Sequence, residues 1–286
     1  MVHEYIKKIP ERSKNSHKGD YGRILIIAGS RGMTGAAFLS AEGALLTGSG
    51  LVTAGIPESL NSIMEIKLTE VMTLPLPETK EVSLSLKAKP QILEFSEKCD
   101  AVAIGPGIGT NDETKKLVQE LLEEIEKPIV LDADGINALG KNLEIIRNRK
   151  AETVITPHPG EMARLTGTNI NEVQSKRKDI AKNAAELTGA VVCLKGHGTV
   201  VADPSGNVYV NETGNSGMAT GGTGDILTGM IASFIGQKVD VQNAAISAVY
   251  LHGLAGDIAA EKKGQFSMRA TDILNNIHEA FNKAGI

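Results

Sequence analysis

Apolar residues along the chain gather into short compact runs rather than long alternating ones. Arg23-Ile24-Leu25-Ile26-Ile27-Ala28 is almost continuously apolar and stops at Gly29-Ser30, the pattern of a strand buried on both faces. A Gly-containing turn and an Ala/Leu-rich helical segment from Thr34 to Thr47 come next. The same grammar recurs at Leu51–Ile56, Ala101–Ile104, Ile129–Leu131, Val154–Ile155 and Val191–Leu194, mostly separated by helix-like mixtures of polar and apolar residues. Such alternation predicts an α/β fold with a mainly parallel central sheet covered by helices on both faces. Near the C-terminal third, Thr199–Asp203 and Val208–Asn211 flank Asp203-Pro204-Ser205-Gly206, which predicts an antiparallel hairpin. Beyond it, Val241, Ala244, Ala245, Ala248, Leu251, Ala255, Ile258 and Ala259 recur at helical spacing, the mark of a packed amphipathic helix.

The 286 residues, 41% of them hydrophobic, suffice for one large α/β domain or two small ones. No stretch has the Pro, Ser or charge content of a linker, so a single domain over residues 1–286 is expected, its first 22 residues an extension before the first strand. A net charge of −4 argues against nucleic acid as a partner, which calls for a clustered basic surface. The first twenty residues lack the apolar core of a secretory signal, and no apolar run approaches the ~20 residues of a membrane span. A cytoplasmic protein without a membrane partner is therefore expected. Cys99 and Cys193 lie at or beside strand-like runs and read as buried thiols.

Open α/β sheets bind ligands outside the carboxyl ends of their strands. There this chain carries Gly105-Pro106-Gly107-Ile108-Gly109-Thr110, Asp132-Ala133-Asp134-Gly135, Thr156-Pro157-His158-Pro159-Gly160-Glu161 and Lys195-Gly196-His197-Gly198-Thr199. The strongest single feature is Gly214 to Asp225, ending Gly221-Gly222-Thr223-Gly224-Asp225, with the helical pattern Ile226, Leu227, Met230, Ile231 and Phe234 directly behind it. Consecutive glycines let backbone N–H groups converge, and a helix start leaves more of them free, which together bind anions. Asp225 then puts a negative charge beside a site built for phosphate. As a general base accepting the proton of an attacking hydroxyl it would contribute ~10²–10⁴-fold; as a mere helix-terminus stabiliser it would contribute ~0.3–1 kcal/mol.

Weaker signals have two readings each. The Gly105–Gly109 loop is no Rossmann fingerprint, because that motif needs glycine where Thr110 stands, and no P-loop motif occurs. His158, between two prolines, is either a ligand contact or a turn histidine. Asp132 and Asp134 either hold Mg²⁺ through water or cap the short helix from Ile136. Lys195 and His197 either meet phosphate or belong to a tight connection between strands.

Taken in order with Ser16-His17-Lys18-Gly19-Asp20-Tyr21-Gly22, Ala28-Gly29-Ser30 and Thr34-Gly35-Ala36-Ala37, these motifs closely resemble those of the ADP/ATP-dependent NAD(P)H-hydrate dehydratases, over nearly the whole chain. The resemblance implies a ribokinase-like three-layer α/β/α fold without the sugar-kinase lid. It also implies a metabolite-repair reaction on the S-epimer of hydrated NADH or NADPH. ADP or ATP phosphorylates the ring hydroxyl, and elimination of phosphate restores the reduced dinucleotide. By position, Asp225 is the implied general base, and the amides of Gly222, Thr223 and Gly224 the anion hole. Lys195, Gly196, His197, Gly198 and Thr199 with Gly224 are implied to bind the nucleotide, and Ala37, Gly107, His158 and Asp225 to face the hydrated dinucleotide. Mg²⁺ is expected to screen the phosphates, with no protein ligand assigned. A homotetramer is also implied, and an epimerase acting as a separate chain, since too few residues precede the first strand to form a fused epimerase domain.

A small-molecule kinase of the same fold, acting on a hydroxymethylpyrimidine, a thiazole alcohol or a sugar, would use the same anion hole and Asp225. Thr156–Glu161 and Ser16–Gly22 resemble the dehydratases instead. A non-catalytic nucleotide sensor would gain nothing from a carboxylate beside phosphate.

Overall fold

The computed structural model describes residues 2–286, with side chains described from residue 4 onward. Nine strands form one sheet: β1 (Arg23–Ile27), β2 (Leu51–Pro57), β3 (Met72–Leu76), β4 (Ala101–Ile104), β5 (Ile129–Leu131), β6 (Thr153–Ile155), β7 (Val191–Leu194), β8 (Val200–Ala202) and β9 (Val208–Val210). Their spatial order is β3-β2-β1-β4-β5-β6-β7-β8-β9. Pairing is parallel from β3 through β7 and antiparallel from β7 to β9. The expected parallel sheet and closing hairpin are thus both present.

The helices are α1 (Val2–Ile6), α2 (Thr34–Leu46), α3 (Asn61–Lys67), α4 (Lys89–Glu97), α5 (Asp112–Glu124), α6 (Asp134–Leu139), α7 (Glu144–Arg147), α8 (Pro159–Thr166), α9 (Ile170–Ser175), α10 (Arg177–Thr188), α11 (Thr223–Gly236), α12 (Val241–Lys263) and α13 (Ala270–Ala284). Strand side chains alternate between two cores. Ile24 and Ile26 pack with α2, α11, α12 and α13 on one face, while Leu25 and Ile27 pack with α4–α10 on the other. Three layers result from one rule: a strand apolar on both sides needs a cover on both sides.

Strand β3 was not evident in the sequence. It is a half-exposed edge strand containing Pro75, and the missing N–H of proline is tolerated only at an edge or a bulge. Both cysteines are free and buried. Burial pushes the Cys99 thiol up to about 11 and that of Cys193 to about 12, so neither supplies a thiolate at neutral pH. No helix among the described residues is long and apolar enough to cross a membrane.

Two helices shape the mouth of the sheet. α2 and α11 run parallel: Leu39 meets Gly222, Gly43 meets Ile226, and Ser49 Oγ donates to Ser233 Oγ at 2.7 Å. Their backbones touch without side chains between them. A Cβ built on Gly43 would lie 2.7 Å from Ile226 O, and one on Gly229 would lie 1.9 Å from Ser40 O. Parallel helices present their N-termini, the positive ends of their dipoles, on the same side.

Gly229→Ala is therefore expected to lose stability, although alanine is the better helix former by ~1 kcal/mol. Forcing α2 and α11 apart costs more, ~1–3 kcal/mol or above, and thermal denaturation is expected to show a Tm lowered by roughly 2–10 °C. An unchanged or raised Tm would show that the contact between the two backbones yields freely.

Candidate active site

The strand order reverses between β1 and β4, whose carboxyl ends open a crevice. Two bonds tie its walls together: Gly29 N–H donates to Pro106 O at 2.8 Å, and Ser30 Oγ donates to Gly107 O at 2.8 Å. Gly107 has φ 63°, and a Cβ there would lie 2.9 Å from those of both Met33 and Ala36, so only glycine fits. Ala37, in the first turns of α2, is fully buried against Gly29. Its side chain packs inward.

The second half of the site lies farther along α2, where Leu39 meets Gly222, ~9 Å from Met33 at the rise of an α-helix. Gly222 is the N-cap of α11, in left-handed conformation, with no side chain capping the helix. Thr223 turns its hydroxyl back onto Met218 O (3.0 Å) and Thr220 O (3.1 Å), closing the loop behind the helix start. The preceding segment is laced to α12: Thr213 Oγ1 donates to Tyr250 O, Gly214 N–H to Asp257 Oδ2 and Asn215 Nδ2 to Asp257 Oδ1. The loop is thereby held, while the first amides of α11 have no side-chain acceptor. Lys195 Nζ sits 3.2 Å from where a Cβ of Gly224 would be, putting an ammonium over the same helix start. Uncapped amides, a helix dipole and a lysine converge, an arrangement that binds phosphate.

Carboxylates outnumber that ammonium. Asp132, 1% exposed at the end of β5, accepts from Lys195 Nζ and, at 2.7 Å, from Thr228 Oγ1. Asp225, in the first turn of α11, has its carboxyl pushed up to about 7 by burial and by Asp132; Lys195 opposes the shift, and Asp134 and Glu161 add to it. Burial works against the charge on Lys195, but Asp132, Glu161 and Asp225 outweigh it and hold the ammonium above the ordinary lysine value. The buried Glu161 is likewise raised, by burial first, with Lys195 opposing. A carboxyl poised near neutrality beside an anion site is equipped to take a proton.

Neither Asp132 nor Asp134 is the N-cap of the short helix that follows them. The N-cap of α6 is Ala133, with φ 49° and no side-chain bond, while Asp134 Oδ2 accepts from Gly109 N–H at 3.0 Å. His158 does cap: its Nδ1 accepts from Gly160 N–H (2.9 Å) and Glu161 N–H (3.3 Å), and the Glu161 carboxylate accepts from His158 N–H in return. Because Nδ1 accepts, the ring proton is on Nε2. Half the imidazole remains exposed, with Nε2 3.3 Å from Glu161 Oε1.

Lys195–Thr199 forms the β7–β8 connection, with Gly196 and Gly198 at positive φ and His197 exposed. Arg177 braces it, Nη2 donating to Leu194 O (2.8 Å), Lys195 O (3.1 Å) and Gly198 O (3.4 Å). Three carbonyls in and beside the loop are thus gathered onto one guanidinium. Arg177 and Thr228 carried no signal in the sequence, since each acts on a residue distant in the chain. Thr228 could have been noticed only as the residue one turn beyond Gly224 on the same helix.

Comparison with known proteins identifies the family. A profile of the NAD(P)H-hydrate dehydratase family matches residues 24–279. The bifunctional NAD(P)H-hydrate repair enzyme Nnr of Moorella thermoacetica is 47% identical over 268 residues, 94% of this chain and 51% of its own length. The chain spans about half the length of this and other bifunctional relatives. The crystal structure of the ADP/ATP-dependent NAD(P)H-hydrate dehydratase from Bacillus subtilis, co-crystallised with ATP/Mg²⁺, superposes with a TM-score of 0.85 at 32% identity, covering 99% of this chain and 97% of that one. A ribokinase from Arabidopsis thaliana, 14% identical with a TM-score of 0.54 over 88% of this chain and 98% of its own, shares the fold alone. With an uncapped glycine-rich helix start, a lysine above it and a family profile matched from the first strand to the last helix, the chain belongs to the NAD(P)H-hydrate dehydratase family, on a ribokinase-like α/β/α scaffold.

Proposed function

We propose that this chain dehydrates the S-epimer of hydrated NADH or NADPH at the expense of ADP or ATP. The observation that carries the reading is Asp225: a carboxyl poised at about 7, in the first turn of an uncapped helix, beside an ammonium held over Gly224. The ring hydroxyl is a poor leaving group. Asp225 takes its proton as the oxygen attacks the terminal phosphorus of the nucleotide, and AMP or ADP departs. The amides of Gly222, Thr223 and Gly224 and the ammonium of Lys195 stabilise the charge on the transferring group. The ring nitrogen's lone pair then expels phosphate, and loss of a ring proton restores the reduced nicotinamide. Only phosphorylation makes that expulsion easy, which is why a kinase-like site serves a dehydratase.

In this reading Lys195 to Thr199 with Gly224 hold the nucleotide. Gly107, the wall around Ala37, and the exposed edge of His158 receive the dinucleotide. A divalent cation suits the surplus of carboxylates around one ammonium, though no cluster of three or more His, Cys, Asp or Glu is arranged for a metal among the described residues. With no such cluster, the nucleotide's own phosphates would be the main ligands of Mg²⁺. When bound, Mg²⁺ neutralises phosphate charge and favours transfer.

The deciding assay is the return of reduced-nicotinamide absorbance when the protein meets hydrated NADH, Mg²⁺ and ADP, ATP or no nucleotide. Recovery that requires a nucleotide is expected; none from folded, nucleotide-binding protein would redirect the reading to a small-molecule kinase. Asp225→Asn is expected to lower turnover by ~10²–10⁴-fold while nucleotide affinity, by calorimetry, stays within roughly threefold. Full activity would refute the general base. Lys195→Ala is expected to weaken nucleotide binding more than dinucleotide binding, and equal losses would contradict that partition. The pH dependence has a definite sign. An ionised Asp225 is required, so kcat/KM should rise with pH through about 7. Its raised value means that the folded state holds an extra proton between 3.8 and about 7 and loses stability as pH rises through that window. Asp225→Asn should therefore raise Tm at pH 8 more than at pH 4, and the same increment at both would count against the shift.

A further inference from the structure

One buried charge near the site takes no part in the proton or phosphoryl transfer. Asp132 sits where β5 ends, and its backbone is locked. Its N–H donates to Ile104 O (3.0 Å), its carbonyl accepts from Gly135 N–H (2.9 Å), and a Cβ on Gly105 would lie 1.8 Å from that carbonyl. The next residue, Ala133, has φ 49°, a conformation that costs an L-residue ~1–3 kcal/mol. Strain is thus accepted immediately after the carboxylate. One of its oxygens takes Lys195 Nζ and the other takes Thr228 Oγ1 at 2.7 Å. Thr228 is fully buried on α11, one turn beyond Gly224, whose carbonyl lies 3.2 Å from the same hydroxyl.

We propose that Asp132 is a positioning residue: anchored on β5, it holds the Lys195 ammonium over Gly224 and, through Thr228, ties the same point to the first turns of α11. The lysine and the helix amides belong to different elements, and one carboxylate, 63 positions from Lys195 and 96 from Thr228, contacts both. Lysine has a long flexible stem that is costly to order when a ligand arrives, and the tether orders it beforehand. Asp132 also competes with Asp225 for the ammonium. Without it, Lys195 is free to pair with Asp225 and occupy the oxygen that must take the substrate's proton. The inference rests on the reading of Lys195 and α11 as the phosphate site, but not on which hydroxyl is phosphorylated.

The test is a double-mutant cycle on nucleotide affinity, measured by calorimetry with MgADP and MgATP and no dinucleotide. The wild type, Asp132→Asn, Lys195→Ala and the double variant are compared. If Asp132 acts through Lys195, the effect of Asp132→Asn should differ by roughly tenfold between the wild-type and Lys195→Ala backgrounds. An equal effect in both overturns the proposal and leaves Asp132 a general support of the fold. Should Asp132→Asn fail to fold, Thr228→Val takes its place in the cycle. Thr228→Ser, which keeps the hydroxyl, should then restore wild-type affinity; a serine variant no better than valine also overturns the proposal. The dehydration assay is run alongside. Coupling in a wild type that leaves hydrated NADH untouched would sink the substrate assignment and leave the positioning role standing.

Discussion

The structure depends on the contact between α2 and α11, where two parallel helices meet backbone to backbone. Glycine at 43 and 229 removes the side chains that would otherwise separate them. Everything at the mouth of the sheet is referenced to that contact. α2 begins at the wall of the β1/β4 crevice, α11 begins at the uncapped glycine-rich turn, and their parallel course keeps the two helix starts neighbours. A looser pair would still bury its apolar faces, since α2 and α11 are apolar on most sides. It would not keep the two helix starts in register.

Electrostatics set the second constraint. One ammonium, Lys195, stands among Asp132, Glu161 and Asp225, with Asp134 nearby. Burying carboxylates together is unfavourable, and the pressure appears where the chain can bear it, as a raised Asp225. Asp132 is served differently, with Lys195 and Thr228 each donating to one of its oxygens. Neighbouring carboxylates thus differ in environment, one saturated with donors and one held ready. Stability and reactivity are traded at a single position: the group that destabilises the folded state at neutral pH is the one proposed to move the proton.

The capping histidine makes a related point about economy. His158 admits two readings, a turn residue or a ligand contact, and its geometry allows both. One nitrogen terminates α8 while the outer edge of the ring remains exposed. Capping fixes the ring's orientation and tautomer, which a ligand contact needs in any case.

Much of this was legible in the residues themselves. Buried parallel strands announce themselves as continuous apolar runs, the hairpin by Asp203-Pro204-Ser205-Gly206, and the uncapped helix start by Gly221-Gly222-Thr223-Gly224 ahead of an apolar helix. All are local patterns, written within a few residues of where they act. β3 escaped because an edge strand containing Pro75 needs no apolar run. Arg177, Thr228 and the role of Asp132 escaped for a deeper reason. Each works on a partner on another element, 17 to 96 positions away, and nothing in a local pattern records which distant carbonyl or ammonium will arrive. Sequence alone therefore determined the layers, the strand ends and which polar and glycine residues gather there. Tertiary structure decided which charges meet, and so which carboxylate is saturated and which is poised, because charge and burial act through space rather than along the chain.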